Sequence, residues 1–380
     1  MAEGWGVIEH IEIEGFKSLE KVSLDLGPLN IFVGTNASGK TNFLEALRVL
    51  QGIGYGYTVD EILNGRPRLG NTEAWEGIRG GSRFASFLRA ESGGGPIHFH
   101  TTTLTASSGR VDYIVDISSR EGAGNETVSV GGHSAEFSLL LNSDEFHRFD
   151  PTTEPPELIE ARRSVREHFG NTQFLRPQPE IMRDYSKDRT AYRLGDRGED
   201  FAALINTIKR DDAACANYTA WLKELTPTEL DDVDVLKGAK NDLLFGVKKD
   251  GVTYPATVLS DGTLRFAAIA AAFFQPEPPQ LLMLEEIEDG LHPTRLQLLV
   301  ELLKSQAGRR VKQVIATTHS PYTIAWLNEE DYRHVFLFTR NEETGATSIK
   351  PFSEVPHLVE LAREQPISDL FAEGWLETAV

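Results

Sequence analysis

The residues that could do chemistry begin with a glycine-rich loop near the N-terminus. Gly34 opens the sequence GTNASGKT, which lies between an apolar segment at 29–33 and a helical pattern reaching Leu50. The glycines let backbone N–H groups point inward, so that with the helix N-terminus they can surround a polyphosphate. The flanking strand and helix argue against a chance match by a glycine-rich turn. The sequence therefore predicts a nucleoside triphosphate site formed by Gly34, Asn36, Ala37, Ser38, Gly39, Lys40, Thr41 and Asn42.

Two residues of this loop have individual roles in the prediction. Lys40 is expected to place a positive charge at the β- and γ-phosphates, where it assists catalysis. Thr41 is expected to offer its hydroxyl to Mg²⁺. The loop thus predicts a nucleoside triphosphate and Mg²⁺ as cofactors.

A pair of carboxylates follows an apolar segment in the C-terminal half. Residues 281–284, LLML, predict a buried strand, and Glu285 and Glu286 follow it directly. The ends of such strands are where open α/β sheets place ligands. Glu285 is predicted to hold hydrated Mg²⁺, and Glu286 is predicted to orient or deprotonate a water in line with the γ-phosphate. The alternative is that both glutamates only cap a strand.

A histidine follows the next predicted strand, residues 313–316, within the sequence TTHSP. His319 could donate a hydrogen bond to the γ-phosphate and polarise the water. A lone histidine is more often a packing residue. Its position after the carboxylate strand favours a catalytic role.

Four further residues are weaker candidates. Ser260 and Gly262, in the sequence LSDGT, open an alanine-rich helix and are typical of an anion site or of a simple helix cap. Lys17 follows the first predicted strand and lies either near the phosphates or in solvent. Gln178, with Gln173 as its rival, follows the predicted strand 172–175 and could reach the metal or the attacking water.

The elements that position these residues alternate between strands and helices, which predicts an α/β fold. Residues 52–150 are rich in Gly, Ser and Thr, and predict an antiparallel β insertion with strands at 82–91, 97–105, 110–117 and 126–130. Residues 52–80 are predicted to be a mobile loop or a partner surface. A helix at 157–168 is predicted to present arginines to solvent, and a helical segment at 196–225 is predicted to end at Thr226 and Pro227.

Composition narrows the class of protein. The chain has 380 residues and a formal net charge of −19, so any basic face must be local. Its single cysteine, Cys215, excludes an internal disulfide and a multi-cysteine zinc site. No apolar run of eighteen residues and no signal pattern occur, which predicts a soluble, cytoplasmic protein without membrane contact.

Together these motifs resemble the ABC-type ATPases of the SMC and RecF group, and more closely the stand-alone RecF-like AAA family ATPases related to the OLD family. The resemblance rests on residues 8–50 and 243–340, which contain IEIEGFKSL, GTNASGKT, LSDGT, LLMLEE and TTHSP. It implies a P-loop NTPase fold with an ABC-ATPase-like mixed sheet flanked by helices, an antiparallel β insertion and a short helical insertion. The implied segments are a first ATPase part (1–51), a β-rich insertion (52–178), a helical insertion (179–242) and a second ATPase part (243–380).

The resemblance also implies a mode of assembly. In that group two copies close head to tail around two ATP molecules, so Ser260 and Gly262 would complete the partner's site, and residues 290–293 would lie at the same interface. The chain departs from the group at Glu285, where aspartate is more usual, and at Ile287, where proline is common. Residues 341–380 are too few for the nuclease domain of OLD proteins, so a separate effector such as a nuclease is expected to do any cutting.

Two functions from different classes follow. The first is an ATP-hydrolysing, dimerising switch in DNA repair, DNA maintenance or anti-phage defence, with DNA or an effector as partner. The alternative is a slow ATP sensor that holds a partner without binding DNA. A transporter subunit is disfavoured, because the β insertion does not resemble a surface coupled to a membrane partner.

Overall fold

The computed structural model describes residues 6–67, 74–87, 95–139, 155–225 and 230–375. The chain divides into two compact units, each described by itself below. Unit 1 contains the described residues up to Thr172 together with Tyr332–Leu358. Unit 2 contains Gln173–Asp331 and the described residues from Val359 to Trp375. The division into four segments stays a prediction.

The strands of the described residues are numbered in chain order. They are β1 (Gly6–Phe16), β2 (Leu19–Asp25), β3 (Leu29–Val33), β4 (Ile97–Thr105), β5 (Gly109–Ser118), β6 (Ala123–Val130), β7 (His133–Ser138), β8 (Thr172–Leu175), β9 (Asp232–Lys237), β10 (Leu243–Lys249), β11 (Val252–Pro255), β12 (Leu281–Leu284), β13 (Gln313–Thr318), β14 (Val335–Arg340) and β15 (Thr347–Pro351).

The helices are numbered in the same way. In the described part of the chain, none of them has both the length and the apolar character needed to cross a bilayer. They are α1 (Lys40–Gly54), α2 (Val59–Asn64), α3 (Pro156–Gly170), α4 (Pro179–Met182), α5 (Phe201–Ile208), α6 (Asp212–Leu225), α7 (Asp261–Phe274), α8 (Pro293–Gln306), α9 (Pro321–Ile324), α10 (Leu358–Glu364) and α11 (Ile367–Ala372), with short 3₁₀ helices at Ser82–Phe84, Ala256–Val258, Glu329–His334 and Phe352–Glu354.

Unit 1 contains the predicted antiparallel β insertion. Its sheet has the order β2-β1-β4-β5-β6-β7, and every neighbouring pair is antiparallel. Apolar and polar residues alternate along β1 because successive side chains point to opposite faces of the sheet. Ile11 and Ile13 are buried, whereas Glu12 and Glu14 face outward. The predicted strands at 97–105, 110–117 and 126–130 are confirmed. The predicted strand at 82–91 is wrong where Ser82–Phe84 form a 3₁₀ helix, and residues 88–91 lie outside the described residues.

A second set of strands in unit 1 positions the phosphate loop. Strand β14 pairs in parallel with β3 and antiparallel with β15, so the sheet is mixed, as predicted. Phe32 of β3 contacts Phe43 of α1 and Phe338 of β14, with ring centroids 5.0 Å and 4.8 Å apart. Because these buried rings fix β3 against α1, the loop between them has both ends anchored.

The structure bears on two predictions about the surface of unit 1. Residues 52–80 are not a loop throughout, because helix α2 begins at a capping box formed by Thr58 and Glu61, and the Nε1 of buried Trp75 donates to the Ile62 carbonyl at 3.1 Å. The alternative, a surface for a partner, stays a prediction. Residues 68–73 of that region lie outside the described residues. The arginines of α3 do not all face solvent, because Arg162 and Arg166 pair with the fully buried carboxylate of Glu126.

Unit 2 contains strands in the order β13-β12-β8, and β12 and β13 are parallel. A separate antiparallel sheet has the order β11-β10-β9. The predicted strands 172–175 and 281–284 are confirmed at both ends. The helical segment predicted at 196–225 is two helices, α5 and α6, and its predicted end at Thr226 and Pro227 lies outside the described residues.

Candidate functional site

The phosphate loop has a backbone that only some residues tolerate. Gly39, the N-cap of α1, has φ +110°, and a Cβ added there would collide with the Thr347 hydroxyl. Ala37 also has a positive φ of +66°, which is uncommon for a residue with a side chain. The loop therefore needs glycine at Gly39 and holds Ala37 in a strained conformation.

Lys40 folds back into the loop that precedes it. Its ammonium donates to the carbonyl of Gly34 at 2.6 Å and to that of Thr35 at 2.9 Å. Lys40 is 8% exposed, whereas Thr35, Asn36 and Ala37 at the loop's crest are exposed. The ammonium is thus held beneath three exposed residues of the loop.

A buried set of hydroxyls ties the loop to the rest of unit 1. The Thr347 hydroxyl donates to the Ser38 carbonyl at 3.0 Å and lies 2.7 Å from the Ser18 hydroxyl. The Asn42 side chain donates to the same Ser18 hydroxyl at 2.7 Å. Four segments of the chain therefore share one hydrogen-bond network, which fixes the start of α1 beneath the loop.

Lys17 is paired with a carboxylate of α1. Its ammonium lies 2.5 Å from a Glu45 carboxylate oxygen on α1 and donates to the Arg79 carbonyl at 2.9 Å. Its side chain is only 10% exposed, so the solvated alternative is wrong. Burial lowers the pKa of Lys17, and the hydrogen bond and charge of Glu45 oppose that shift. A contact with phosphate stays a prediction.

The predicted carboxylate pair of unit 2 is bridged by an arginine. Arg176, directly after β8, donates from Nη1 to Glu285 Oε2 at 3.2 Å and from Nη2 to Glu286 Oε2 at 2.6 Å. The strand ends lie together because the Glu285 N–H donates to the Leu175 carbonyl at 3.4 Å. One guanidinium therefore contacts both acidic side chains.

The backbone of Glu286 is strained and anchored. Glu286 has φ +51°, a conformation that costs on the order of 1–3 kcal/mol and clusters at functional sites. Its N–H donates to the Thr317 hydroxyl at 3.0 Å, and the N–H of Ile287 donates to the Thr317 carbonyl at 3.1 Å. A proline at position 287 would lack the second hydrogen bond, which gives the departure noted in the sequence a structural reason.

His319 is held by a residue that the sequence did not single out. Glu288 Oε1 accepts from the His319 N–H at 2.6 Å and lies 2.9 Å from its Nδ1. Glu288 is largely buried, and its Oε2 has no hydrogen-bond partner within the described part of the chain. The imidazole itself is 40% exposed. This arrangement leaves Nε2 as the ring nitrogen that can meet a ligand.

The LSDGT segment is a capped helix N-terminus. Ser260 is the N-cap of α7 and accepts from the Thr263 N–H at 3.2 Å. Gly262 packs so closely on Gly290 that a Cβ would collide with the Gly290 carbonyl. Arg183 braces the segment by donating to the Leu259 carbonyl at 2.9 Å. The cap is therefore observed, while a role for Ser260 and Gly262 in a second copy stays a prediction.

The two candidate glutamines differ in their surroundings. Gln173 is buried, donates to the Leu194 carbonyl at 2.8 Å and accepts from Gln275 at 2.8 Å, so its amide is used at both ends. Gln178 accepts from the exposed Arg197 guanidinium at 2.6 Å. Metal binding by either glutamine stays a prediction.

Each unit brings together part of the predicted site. Unit 1 holds the phosphate loop with Thr41 and Asn42. Unit 2 holds Glu285 and Glu286 after β12, and His319 directly after the neighbouring strand β13. Sequence reasoning missed five residues that support these groups. Ser18, Glu288 and Thr317 lie within two residues of predicted ones and could have been found. No local pattern marks the other two, Thr347 and Arg176.

The family comparison covers most of the chain. The family model described as "AAA domain, putative AbiEii toxin, Type IV TA system" matches residues 29–325. That range contains the phosphate loop, the carboxylate pair and His319.

A second comparison gives relatives with similar sequence. "DNA replication and repair protein RecF" of Lactobacillus acidophilus is 46% identical over 44 residues, and that of Lactococcus lactis is 50% identical over 44 residues. Each match covers 11% of this chain and only 12% of the RecF chain.

Solved structures show the fold. An SMC head bound to the C-winged-helix domain of ScpA is similar with TM-score 0.54 and 14% identity, over 90% of this chain and 96% of that chain. The Pyrococcus furiosus SMC head bound to the C-terminal domain of ScpA is similar with TM-score 0.56 and 11% identity, over 94% and 100%. The predicted SMC and RecF-like fold is confirmed.

Proposed function

The chain belongs to the AAA-domain family whose model covers residues 29–325, and on that premise we propose that it binds ATP with Mg²⁺ and hydrolyses it. The phosphates would lie on the backbone N–H groups of the loop and on Lys40. Thr41 and Glu285 are the proposed metal ligands, with Gln178 as a further candidate. The bound metal would neutralise charge on the phosphates as the bond to the γ-phosphate breaks.

The observation that carries the proposal is the position of Lys40 within the phosphate loop. Lys40 already lies inside the loop, bonded to the carbonyls of Gly34 and Thr35, while the crest of the loop is exposed. Phosphate oxygens are stronger acceptors for an ammonium than neutral carbonyls are. The residues present therefore fit a polyphosphate.

Hydrolysis is proposed to depend on Glu286 and His319. A carboxylate can orient or deprotonate the attacking water, which contributes about 10²–10⁴-fold to a rate. The fixed imidazole of His319 can hold the transferred phosphoryl group through Nε2. Glu288 and Thr317 keep these two groups in place.

We further propose that ATP closes a homodimer in which Ser260 and Gly262 of one copy face the nucleotide of the other. A capped helix N-terminus suits a phosphate, because its N–H groups and dipole favour negative charge. The likeness to RecF, whose name refers to DNA replication and repair, supports a role in DNA repair or DNA maintenance. Anti-phage defence, and DNA or an effector such as a nuclease as partner, belong to the same proposal.

The test is nucleotide binding and turnover by the purified chain. Wild type should bind a fluorescent ATP analogue and release phosphate in the presence of Mg²⁺. Lys40→Ala should lose most of its affinity for the analogue. Lys21→Ala, which removes an exposed lysine of the same unit, should not change it. Equal affinity of wild type and Lys40→Ala would contradict the proposed cradle.

One observation favours the slower alternative, an ATP sensor that does not bind DNA. Arg176 occupies an oxygen of both Glu285 and Glu286, which restrains the groups that hydrolysis needs. The two functions differ in their response to DNA. Strong stimulation of turnover by DNA supports the switch, and flat, very slow turnover supports the sensor.

A further inference from the structure

Arg176 stands out among the residues that the sequence did not single out, because its guanidinium joins the two acidic residues of unit 2. We propose that Arg176 is a positioning residue that serves as the internal countercharge of Glu285 and Glu286, and that a divalent metal ion displaces it. The inference rests on the proposed role of Glu285 as a metal ligand.

The geometry explains why an arginine is suited to this position. Two neighbouring carboxylates repel each other, and a planar guanidinium presents two Nη groups that can each meet a different acceptor. Arg176 uses them in this way, at 3.2 Å from Glu285 and 2.6 Å from Glu286. Its backbone is fixed as well, since its N–H donates to the Asp196 carbonyl at 2.8 Å. Only the side chain therefore needs to move.

The same contacts make Arg176 a competitor of the metal. A metal ion bound to Glu285 and a guanidinium on Glu285 and Glu286 are both positive, so they repel when they share these carboxylates. The Arg176 side chain is 50% exposed, which screens the bridge and gives the guanidinium a path into water. A doubly charged ion should therefore bind the carboxylates more strongly than the singly charged guanidinium does.

Displacement of Arg176 would couple metal binding to the release of the Glu286 carboxylate. Without the metal, the Glu286 carboxylate, which is proposed to act on water, accepts a hydrogen bond from Arg176. When the guanidinium leaves, Glu286 keeps its position, because Thr317 holds its backbone, and it regains a free oxygen. Arg176 thus delays activation until the metal is bound.

The test measures binding of Mn²⁺, a paramagnetic probe for the magnesium site, to the nucleotide-free chain by water proton relaxation. Arg176→Gln should bind Mn²⁺ about three- to tenfold more tightly than wild type, since a charge-assisted bridge weakened by solvent is lost. The Mn²⁺ affinity of Arg176→Lys should fall between those of wild type and Arg176→Gln, because an ammonium lacks the two Nη groups of a guanidinium. Arg189→Gln is the matched control, since Arg189 pairs with Asp200 and leaves the acidic pair unchanged.

Two comparisons make the result decisive. Adding Glu285→Gln to Arg176→Gln should abolish the gain in Mn²⁺ affinity. In Arg176→Gln, the Mg²⁺ concentration for half-maximal ATP turnover should fall, while KM for ATP at saturating Mg²⁺ stays the same. Unchanged or weaker Mn²⁺ binding by Arg176→Gln, or no measurable binding by either protein, would overturn the proposal. The Mn²⁺ measurement needs no nucleotide, so a chain that failed to bind ATP would refute the proposed function without deciding this one.

Discussion

Glu288 holds His319 through a single carboxylate oxygen that meets both the backbone N–H, at 2.6 Å, and the ring Nδ1, at 2.9 Å. An ionised carboxylate only accepts hydrogen bonds, so the shared proton is assigned to Nδ1. The ring orientation and the tautomer are thereby fixed together. Nε2 is the nitrogen left for a phosphate oxygen or a water.

Glu288→Gln should separate positioning of His319 from nucleotide binding. The amide keeps the size of the side chain, but it loses the charge and can turn its NH₂ group toward Nδ1, which then favours the wrong tautomer. We expect turnover to fall by roughly tenfold or more, with ATP affinity unchanged. Steady-state kinetics with Glu301→Gln as an exposed control on α8 check this. Wild-type turnover in Glu288→Gln would show that the contact does not matter for hydrolysis.

The phosphate loop allows a matched pair of substitutions. Gly39→Ala puts a Cβ at φ +110° and against the Thr347 hydroxyl, so it should weaken nucleotide binding by about tenfold or more. Ala37→Gly relieves a positive φ at an exposed position and should preserve binding. Titration with a fluorescent nucleotide compares the two. Loss of binding in both variants would mean that loop composition, not backbone geometry, sets the affinity.

Local pattern was enough to predict much of the fold. A fully buried strand is an unbroken apolar run in the sequence, which is why both ends of β12 agree with the prediction. The order of strand, glycine loop and helix is fixed by the chemistry of phosphate binding. The phosphate loop and the carboxylate pair were found because each is contiguous in sequence.

The remaining features depend on contacts between distant residues. Arg162 and Arg166 have the spacing of a solvated helix face, yet they meet Glu126, which comes 36 residues or more earlier in the chain. Arg176 lies 109 residues before Glu285, and no periodicity connects them. A turn with several glycines likewise gave no sign that Trp75 would be buried against α2.

The free energy of unfolding should depend on pH through a buried histidine of unit 1. His168 is 3% exposed, neither ring nitrogen has a hydrogen-bond partner within the described residues, and burial lowers its pKa from 6.5 to about 4. The unfolded chain therefore takes up a proton first as the pH falls, so stability is lost progressively between about pH 6.5 and about pH 4. The loss from this group between pH 7.5 and pH 5 should be about 2 kcal/mol.

Denaturant unfolding of His168→Leu across this pH range isolates the effect. The variant should lose about 2 kcal/mol less than wild type on acidification, whatever its stability at neutral pH. His133→Gln, which removes an exposed histidine of the same unit, should follow the wild-type profile. Parallel profiles for wild type and His168→Leu would show that His168 is not buried in the neutral form.

We propose that ATP joins two copies of this chain, and the mass of Glu286→Gln in Mg²⁺ and ATP shows whether it does. This variant should keep its nucleotide and turn over on the order of a hundredfold more slowly, so the closed state accumulates. Light scattering should then give twice the monomer mass with ATP and the monomer mass without it, and adding Ser260→Arg should restore the monomer. A monomer mass at saturating ATP, with nucleotide bound, would rule out an ATP-dependent dimer.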